Sequence, residues 1–256
     1  MSLWIALAAL AGTMFGSLAN VLIYRIPRGE SVVFPASHCP ACGHDIRWYD
    51  NVPLLSWLLL KGRCRVCGAQ IPLRYPVVEL SVGLGWGFLA WLLPAGPVLI
   101  SGLVLFYFLL VLSWIDLETG LLPDMLTYPG MLLGLLFSAW QGHLADAVVG
   151  AVVGYVFFWI VAKAFLRLTG REGMGHGDFK LLAMLGAFMG WQALPFIVFV
   201  SSLAGTVVGG LGLLLTRGQL RSEIPFGPYL AFAGMLWFLT GEDLVAWYAT
   251  FLHPGA

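Results

Sequence analysis

The feature that most constrains this sequence is a series of eight apolar stretches separated by short polar segments. A helix needs about 20 apolar residues to cross a bilayer. Only 10% of the 256 residues are charged, whereas a soluble domain averages about 25%. The pattern therefore predicts an all-α polytopic membrane protein with about eight transmembrane helices. The stretches are 3–23, 77–93, 98–115, 125–140, 145–168, 179–191, 193–215 and 225–239.

The first stretch is predicted to be a retained membrane helix and not a cleaved signal peptide. Residues 1–10 lack the basic segment with which a signal peptide begins, and the apolar run continues to Ile23. The stretch 179–191 is short, and it is the weakest of the eight as a full span. We expect three parts: a first helix (1–24), a hydrophilic insert (25–76) and a helical bundle (77–256).

The basic residues predict how the chain is oriented in the membrane. If all eight helices cross, every Lys and Arg falls on one face, and cytoplasmic loops are the ones enriched in these residues. That face is therefore predicted to be cytoplasmic, with both termini on the opposite side. We expect a lipid bilayer as a partner and no nucleic acid. The basic residues are Arg25, Arg28, Arg47, Lys61, Arg63, Arg65, Arg74, Lys163, Arg167, Arg171, Lys180, Arg217 and Arg221.

All four cysteines lie in the hydrophilic insert, as two C-x2-C pairs: Cys39 with Cys42, and Cys64 with Cys67. Two such pairs can supply four thiolates to one tetrahedral zinc ion, which would then be structural because its coordination shell is closed. Disulfides or free thiols are the alternatives, and a cytoplasmic location argues against disulfides. His38 and His44 flank the first pair, and we interpret them as surface residues and not as ligands.

Two acidic residues at membrane boundaries are candidates for catalysis. Asp116 ends one apolar stretch, and Asp178 follows three glycines and begins another. Carboxylates at such positions are costly, so they are functional candidates by default. Two neighbouring carboxylates do not ionise together easily, so that one can act as a base while the other donates a proton. We expect the glycines before Asp178 to adopt backbone conformations that are closed to other residues.

Three motifs stand in order along the chain: the two-CxxC insert, Asp116 with the following 122–124, and the Gly-x-Gly-x-Gly-Asp-x-Lys loop at 173–180. Together they resemble the bifunctional prepilin peptidases, which form the type IV leader peptidase family of bacterial inner membranes and have a GxGD-type aspartic protease site. Shorter segments support the resemblance, which covers almost the whole chain. They are 16–20, 24–27, 50–53 and 74–79.

The resemblance implies that Asp116 and Asp178 are the catalytic residues, in a site whose loop includes Gly175, Gly177 and Lys180. The implied substrates are type IV prepilins or type II secretion pseudopilins, which lose a short leader after a glycine at the cytoplasmic face. The implied second activity is methylation of the new N-terminal residue with S-adenosylmethionine as the methyl donor.

The sequence does not locate the methyl-donor site. Asn20, Arg74 and Glu79 are candidates for it, although each has an alternative role as a helix-end or packing residue. Asp124 is interpreted either as a helix-start residue or as a catalytic one, because an acid suits the N-terminus of a helix.

Three other functions stay open at this stage. A proton-coupled transporter with a regulatory zinc module would use the same acids, but nearer the bilayer midplane. A peptidase without methyltransferase activity is the second alternative, and the resemblance disfavours it because family members that lack the cysteine insert resemble the peptidase-only enzymes. A membrane-anchored zinc module that only recruits a partner would leave Asp178 and its glycine loop unexplained.

Overall fold

A computed structural model describes residues 2–171, 173–215 and 225–252, and Arg217 and Arg221 lie outside these ranges. Within them the chain is helical and without named strands, although isolated antiparallel bridges join His38 to Asp45 and Arg63 to Gln70. The α-helices are α1 (Ser2–Arg25), α2 (Leu55–Leu59), α3 (Arg74–Leu92), α4 (Pro97–Thr119), α5 (Asp124–Trp140), α6 (Leu144–Thr169), α7 (His176–Met189), α8 (Leu194–Leu215) and α9 (Gly227–Leu252).

The eight longer helices coincide with the eight apolar stretches, and five stretches of helix are long and apolar enough to cross a membrane. They are Leu3–Arg28, Arg74–Leu92, Pro97–Thr119, Leu144–Thr169 and Trp191–Leu211. The prediction of a helical, multi-pass membrane protein is confirmed. Eight crossings stay a prediction.

The chain divides into two compact units, residues 1–111 and 112–256, and the division falls inside α4. In the first unit, α1 packs along α3 over most of its length. The two backbones come very close, because a Cβ added at Gly16 would lie 2.5 Å from the Cα of Glu79. Small residues allow such approaches between membrane helices. This crossing brings polar side chains of both helices together.

The second unit is built around α7, which packs against α5, α6 and α9. This helix has 14 residues and is about 21 Å long at 1.5 Å per residue, shorter than the apolar core of a bilayer. Most of its residues between Asp178 and Ala187 are buried. The weak hydropathy signal of this stretch therefore has a structural reason: α7 is covered by other helices and does not need to match the bilayer.

Candidate active site and metal centre

The four cysteines form a cluster in the first unit. Their sulfur atoms all lie within 4.8 Å of one another, and the Sγ atoms of Cys39 and Cys67 are 3.8 Å apart. Four sulfurs at the zinc–thiolate distance of about 2.3 Å, arranged as a tetrahedron, would be about 3.8 Å apart. The backbone N–H groups of Cys67 and Val66 lower the pKa of the Cys64 thiol to about 6. Burial and hydrogen bonds to the other three thiols raise the pKa of Cys42 to about 11, so the thiols do not share one protonation behaviour. The cluster thus has the geometry of a metal site.

The two cysteine pairs repeat one backbone arrangement. In each turn the first cysteine accepts a hydrogen bond from the N–H of the glycine that follows the second: Gly43 to Cys39, and Gly68 to Cys64. Both glycines have φ near +70°, a conformation that glycine adopts without steric cost. A second hydrogen bond closes each turn. The carbonyl oxygens of Ser37 and Gly62 accept from the N–H groups of Ile46 and Ile71, nine positions further along the chain in each case. The repeat is visible in the sequence, but only the structure shows its extent.

His38 and His44 are exposed and do not belong to the sulfur cluster. His44 contributes its carbonyl oxygen, which accepts a hydrogen bond of 2.9 Å from the N–H of Cys39.

A cavity of about 400 Å³ lies beside the cysteines in the first unit. Asn20 and Glu79, two of the residues predicted for the methyl-donor site, line it together with Cys39 and Cys64. Arg74, the third, begins α3, and its guanidinium carbon lies 5.1 Å from the ring centroid of Tyr75, another lining residue. The structure therefore gathers the three candidates at one end of the α1–α3 pair.

Asp116 and Asp178 come together in the second unit, although different helices carry them. Asp116 lies in the last turn of α4 and Asp178 in the first turn of α7. The carboxyl groups are buried, with residue exposures of 6% and 9%, and the charge of Asp116 acts on Asp178. Two buried carboxyls whose charges interact in this way favour a state in which one of them keeps a proton. Such a pair can activate a water molecule and protonate a carbonyl.

Gly227 is a member of this site that the sequence did not reveal. Its N–H donates a hydrogen bond of 2.8 Å to Oδ2 of Asp116, and it is the first residue of α9. A Cβ added to Gly227 would lie 2.7 Å from the same oxygen, so the carboxylate can approach the backbone only because this residue is a glycine. The signal that was overlooked is the Gly227–Pro228 pair, since proline favours the first turn of a helix.

The glycines before Asp178 have a different role from the one predicted. Gly175 has φ of −72° and ψ of 145°, which other residues also adopt, and the positive-φ glycines do not include Gly173, Gly175 or Gly177. The expectation of a special backbone conformation is therefore wrong. Gly177 instead permits close packing, because a Cβ there would lie 2.6 Å from the Cβ of Leu122.

Lys180 and Asp124 connect the first turns of α7 and α5. The Lys180 ammonium donates to Oδ1 of Asp124 and lies 5.3 Å from the ring centroid of Tyr128. Asp124 is 57% exposed at its side chain and stands at the start of α5. This favours the interpretation of Asp124 as a helix-start residue and makes Lys180 a positioning partner for the Asp178 turn.

The sequence matches known families over most of its length. Residues 10–93 match the Bacterial Peptidase A24 N-terminal domain, and residues 103–210 match the Type IV leader peptidase family. No solved structure matches the chain.

Several curated proteins named prepilin leader peptidase/N-methyltransferase are similar to this chain. The protein from Aeromonas salmonicida (strain A449) is 44% identical over 274 residues, covering 96% of this chain and 94% of that protein. The one from Stutzerimonas stutzeri is 41% identical, covering 95% of this chain and 93% of the relative. The one from Klebsiella pneumoniae is 49% identical over 208 residues, covering 78% and 91%.

Proposed function

This chain belongs to the type IV leader peptidase family, and from that premise we propose that it is a bifunctional membrane enzyme. It removes the leader peptide from prepilins and then methylates the new N-terminus with S-adenosylmethionine. The observation that supports the peptidase half is that Asp116 and Asp178, on different helices, are both buried and interact electrostatically. The names of the relatives carry the methyltransferase half.

In the proposed hydrolysis, Asp116 and Asp178 are the catalytic residues. The ionised carboxylate takes a proton from a water molecule, and the protonated one donates to the carbonyl oxygen of the scissile bond. The Gly227 N–H holds one oxygen of Asp116, so this carboxylate keeps its orientation during the reaction. Gly175 lies beside this carboxyl, and a Cβ added there would make only an ordinary contact with Oδ2 of Asp178, at 3.6 Å.

The substrates are type IV prepilins or type II secretion pseudopilins, cut after a glycine. The distribution of basic residues supports a cytoplasmic site in a bacterial inner membrane, with both termini in the periplasm. A prepilin has an apolar helix that lies in the bilayer, so its leader would meet the enzyme at the same surface. A proton-coupled transporter is less well supported, because both acids lie at helix ends and not midway along a membrane helix.

Zinc is the metal that best fits the four-cysteine cluster, and Cys39, Cys42, Cys64 and Cys67 would hold it. It would stabilise the insert, because four thiolates leave no coordination position for a substrate. S-adenosylmethionine supplies an electrophilic methyl group from a sulfonium centre. The cavity beside the cysteines has the volume of a small-molecule site, and we place the methyl-transfer site there, with Asn20, Arg74 and Glu79 as its candidate residues.

The test is to incubate the purified enzyme with a prepilin and labelled S-adenosylmethionine and to read the N-terminus of the product by mass spectrometry. Asp116→Asn and Asp178→Asn should each slow leader removal by about 100- to 10,000-fold, the usual contribution of acid–base groups. Methylation of a peptide supplied without its leader should persist. Glu118→Gln, which changes an exposed acid close to Asp116, is the matched control. Normal cleavage by either Asn variant would refute the mechanism.

A further inference from the structure

The cavity in the first unit contains a buried carboxylate that the proposed hydrolysis does not use. Glu79 is only 7% exposed, yet it lines the cavity. Its Oε2 atom accepts a hydrogen bond of 2.7 Å from the backbone N–H of Leu54. A carboxylate that is buried against an open volume has a free energy cost that a bound cation would offset.

Polar groups of α1 and α3 meet around this carboxylate. Ser17 of α1 lines the same cavity as Glu79. Asn20, one turn further along α1, donates through Nδ2 to the Tyr75 carbonyl at 3.0 Å. Tyr75 precedes Glu79 by four residues, and side chains at this spacing share one face of a helix. Ser17 and Asn20 therefore face the same side of α3 as Glu79.

Asn20 presents an acceptor without a partner. This residue is 2% exposed, and its Oδ1 atom has no hydrogen-bond partner among the described residues. An unsatisfied buried acceptor typically costs about 1–3 kcal/mol, and a donor brought to this side chain would remove that cost. The Glu79 carboxylate supplies a negatively charged acceptor on the facing helix α3.

The backbone that holds Glu79 is strained. Leu54 has φ of +60° and ψ of −50°, and the Leu55 N–H reaches back to the Pro53 carbonyl at 2.6 Å. This is a γ-turn of the rare, strained kind, and strain of this sort concentrates at functional sites. The turn aims the Leu54 N–H at the carboxylate and fixes its orientation.

We propose that Glu79, assisted by Asn20, binds the N-terminal ammonium of the cleaved pilin and accepts its proton for methyl transfer. This assignment rests on the proposed second activity and names the residue that prepares the nucleophile. Two hydrogen-bond acceptors, one of them charged, match an ammonium, which offers three donors and one positive charge.

The step balances without another reactant. The ammonium gives one proton to the Glu79 carboxylate, and the neutral amine then has a lone pair. This pair forms the new N–C bond as the C–S bond of the sulfonium donor breaks, and the electrons of that bond stay on sulfur, which becomes a neutral thioether. The methylated product is a secondary ammonium, and Glu79 then releases to water the proton that it accepted, which regenerates the carboxylate.

The first test compares wild-type enzyme and Glu79→Gln, using the full chain, a leaderless pilin peptide and labelled S-adenosylmethionine. Gln keeps an oxygen for the Leu54 N–H but carries no charge. Methylation should fall about 100-fold or more, as for loss of a general base, while leader removal from intact prepilin stays at the wild-type rate. Asp243→Asn changes an exposed acid of α9 that does not line this cavity, and this variant should retain methylation.

The outcomes separate this inference from the function on which it rests. Failure of the wild-type enzyme to methylate would reject the second activity itself. Methylation by wild type and by Glu79→Gln at similar rates would reject only the assignment of Glu79.

A binding measurement without the methyl donor covers the case in which Glu79→Gln does not fold. The wild-type enzyme should bind a peptide with a free N-terminus about tenfold or more tightly than the same peptide acetylated, because a charge-assisted hydrogen bond contributes that much. Acetylation removes the ammonium and leaves the side chains unchanged. Equal affinity for the two peptides would overturn the proposal.

Discussion

Two buried carboxylates in different units of the chain are anchored in the same way but have different neighbours. Glu79 in the first unit and Asp116 in the second each accept one hydrogen bond from a backbone N–H, at 2.7 and 2.8 Å. Asp116 has a second acid, Asp178, within electrostatic reach, whereas the Glu79 carboxylate shares its cavity with the polar side chains of Ser17 and Asn20. A pair of acids suits hydrolysis, and a carboxylate among hydrogen-bonding side chains suits the binding of a cation.

Both anchoring N–H groups are ones that regular secondary structure leaves free. Gly227 is the first residue of α9, where the N–H groups of the first turn have no partner within the helix. Leu54 stands immediately before α2, in the same situation. The difference between the two sites therefore does not come from the anchor. It comes from which side chains the helix packing brings next to each carboxylate.

The largest expected effect comes from changing the first unit alone, which should abolish methylation and leave leader removal intact. Replacing Cys39 and Cys64 together by Ser should abolish metal binding by the cluster. It should also abolish methylation, because both residues line the Glu79 cavity. Leader removal should continue, since the proposed peptidase residues lie in the second unit. Metal content by mass spectrometry and the two product assays measure this. His44→Ala is the matched control and should keep its metal, and loss of metal from this variant would contradict the ligand set.

A second change tests the anchor of Asp116. In Gly227→Ala the new Cβ would lie 2.7 Å from Oδ2 of Asp116, so the carboxylate must move. Displacement of a catalytic group by about 1 Å commonly costs about 100-fold in rate, and we expect cleavage to fall by that order while methylation is unchanged.

Gly205→Ala is the control for this change, because a Cβ there would make ordinary contacts, the nearest at 3.5 Å. Equal rates of leader removal for Gly227→Ala and the control would mean that the anchor does not position Asp116.

A smaller effect is expected for the ion pair that joins the first turns of α5 and α7. Lys180→Met and Asp124→Asn should each slow cleavage by about two- to fivefold, the range that corresponds to a partly exposed pair. The double variant should be no slower than either single one, because each change removes the same interaction. Cleavage kinetics of the three variants measure the coupling, and additive losses would show that Lys180 and Asp124 act separately.

The smallest effect concerns the insert and depends on pH. The Arg65 guanidinium donates to both carboxylate oxygens of Asp50 and lowers the pKa of that carboxyl. The pair therefore stabilises the fold above the unfolded pKa of Asp50, about 3.9, and this contribution disappears as the pH falls through the lowered folded pKa.

Thermal unfolding of wild type and Asp50→Asn across a pH series measures the contribution of Asp50. The difference between their midpoints should be constant near neutral pH and should vanish in acid. A difference that grows as the pH falls would contradict the assignment. Taking the difference cancels the protonation of the cysteines, which occurs in both proteins.

Much of the architecture could be predicted from the sequence, because the helices and the two cysteine turns depend on local patterns. Apolar runs of membrane length gave the eight longer helices, and each C-x2-C pair with its glycine specifies its own turn. Asp116 and Asp178 were identifiable because each is an acid at the edge of an apolar run. Their assignment as catalytic residues stays a prediction. The sequence argument attributed the glycines at 173–177 to an unusual backbone conformation, whereas at Gly177 the structural reason is close packing against Leu122.

The sequence by itself determined which residues are available for chemistry, and the tertiary structure decided which of them meet. The Leu54 turn and Gly227 reach their carboxylates across 25 and 111 positions of chain, and no local pattern specifies such contacts. α7 is short because its neighbours cover it, which hydropathy along one segment does not reveal. The physical reason is the same throughout: side-chain pattern sets backbone geometry over a few residues, whereas contact between distant segments depends on how closely whole helices pack.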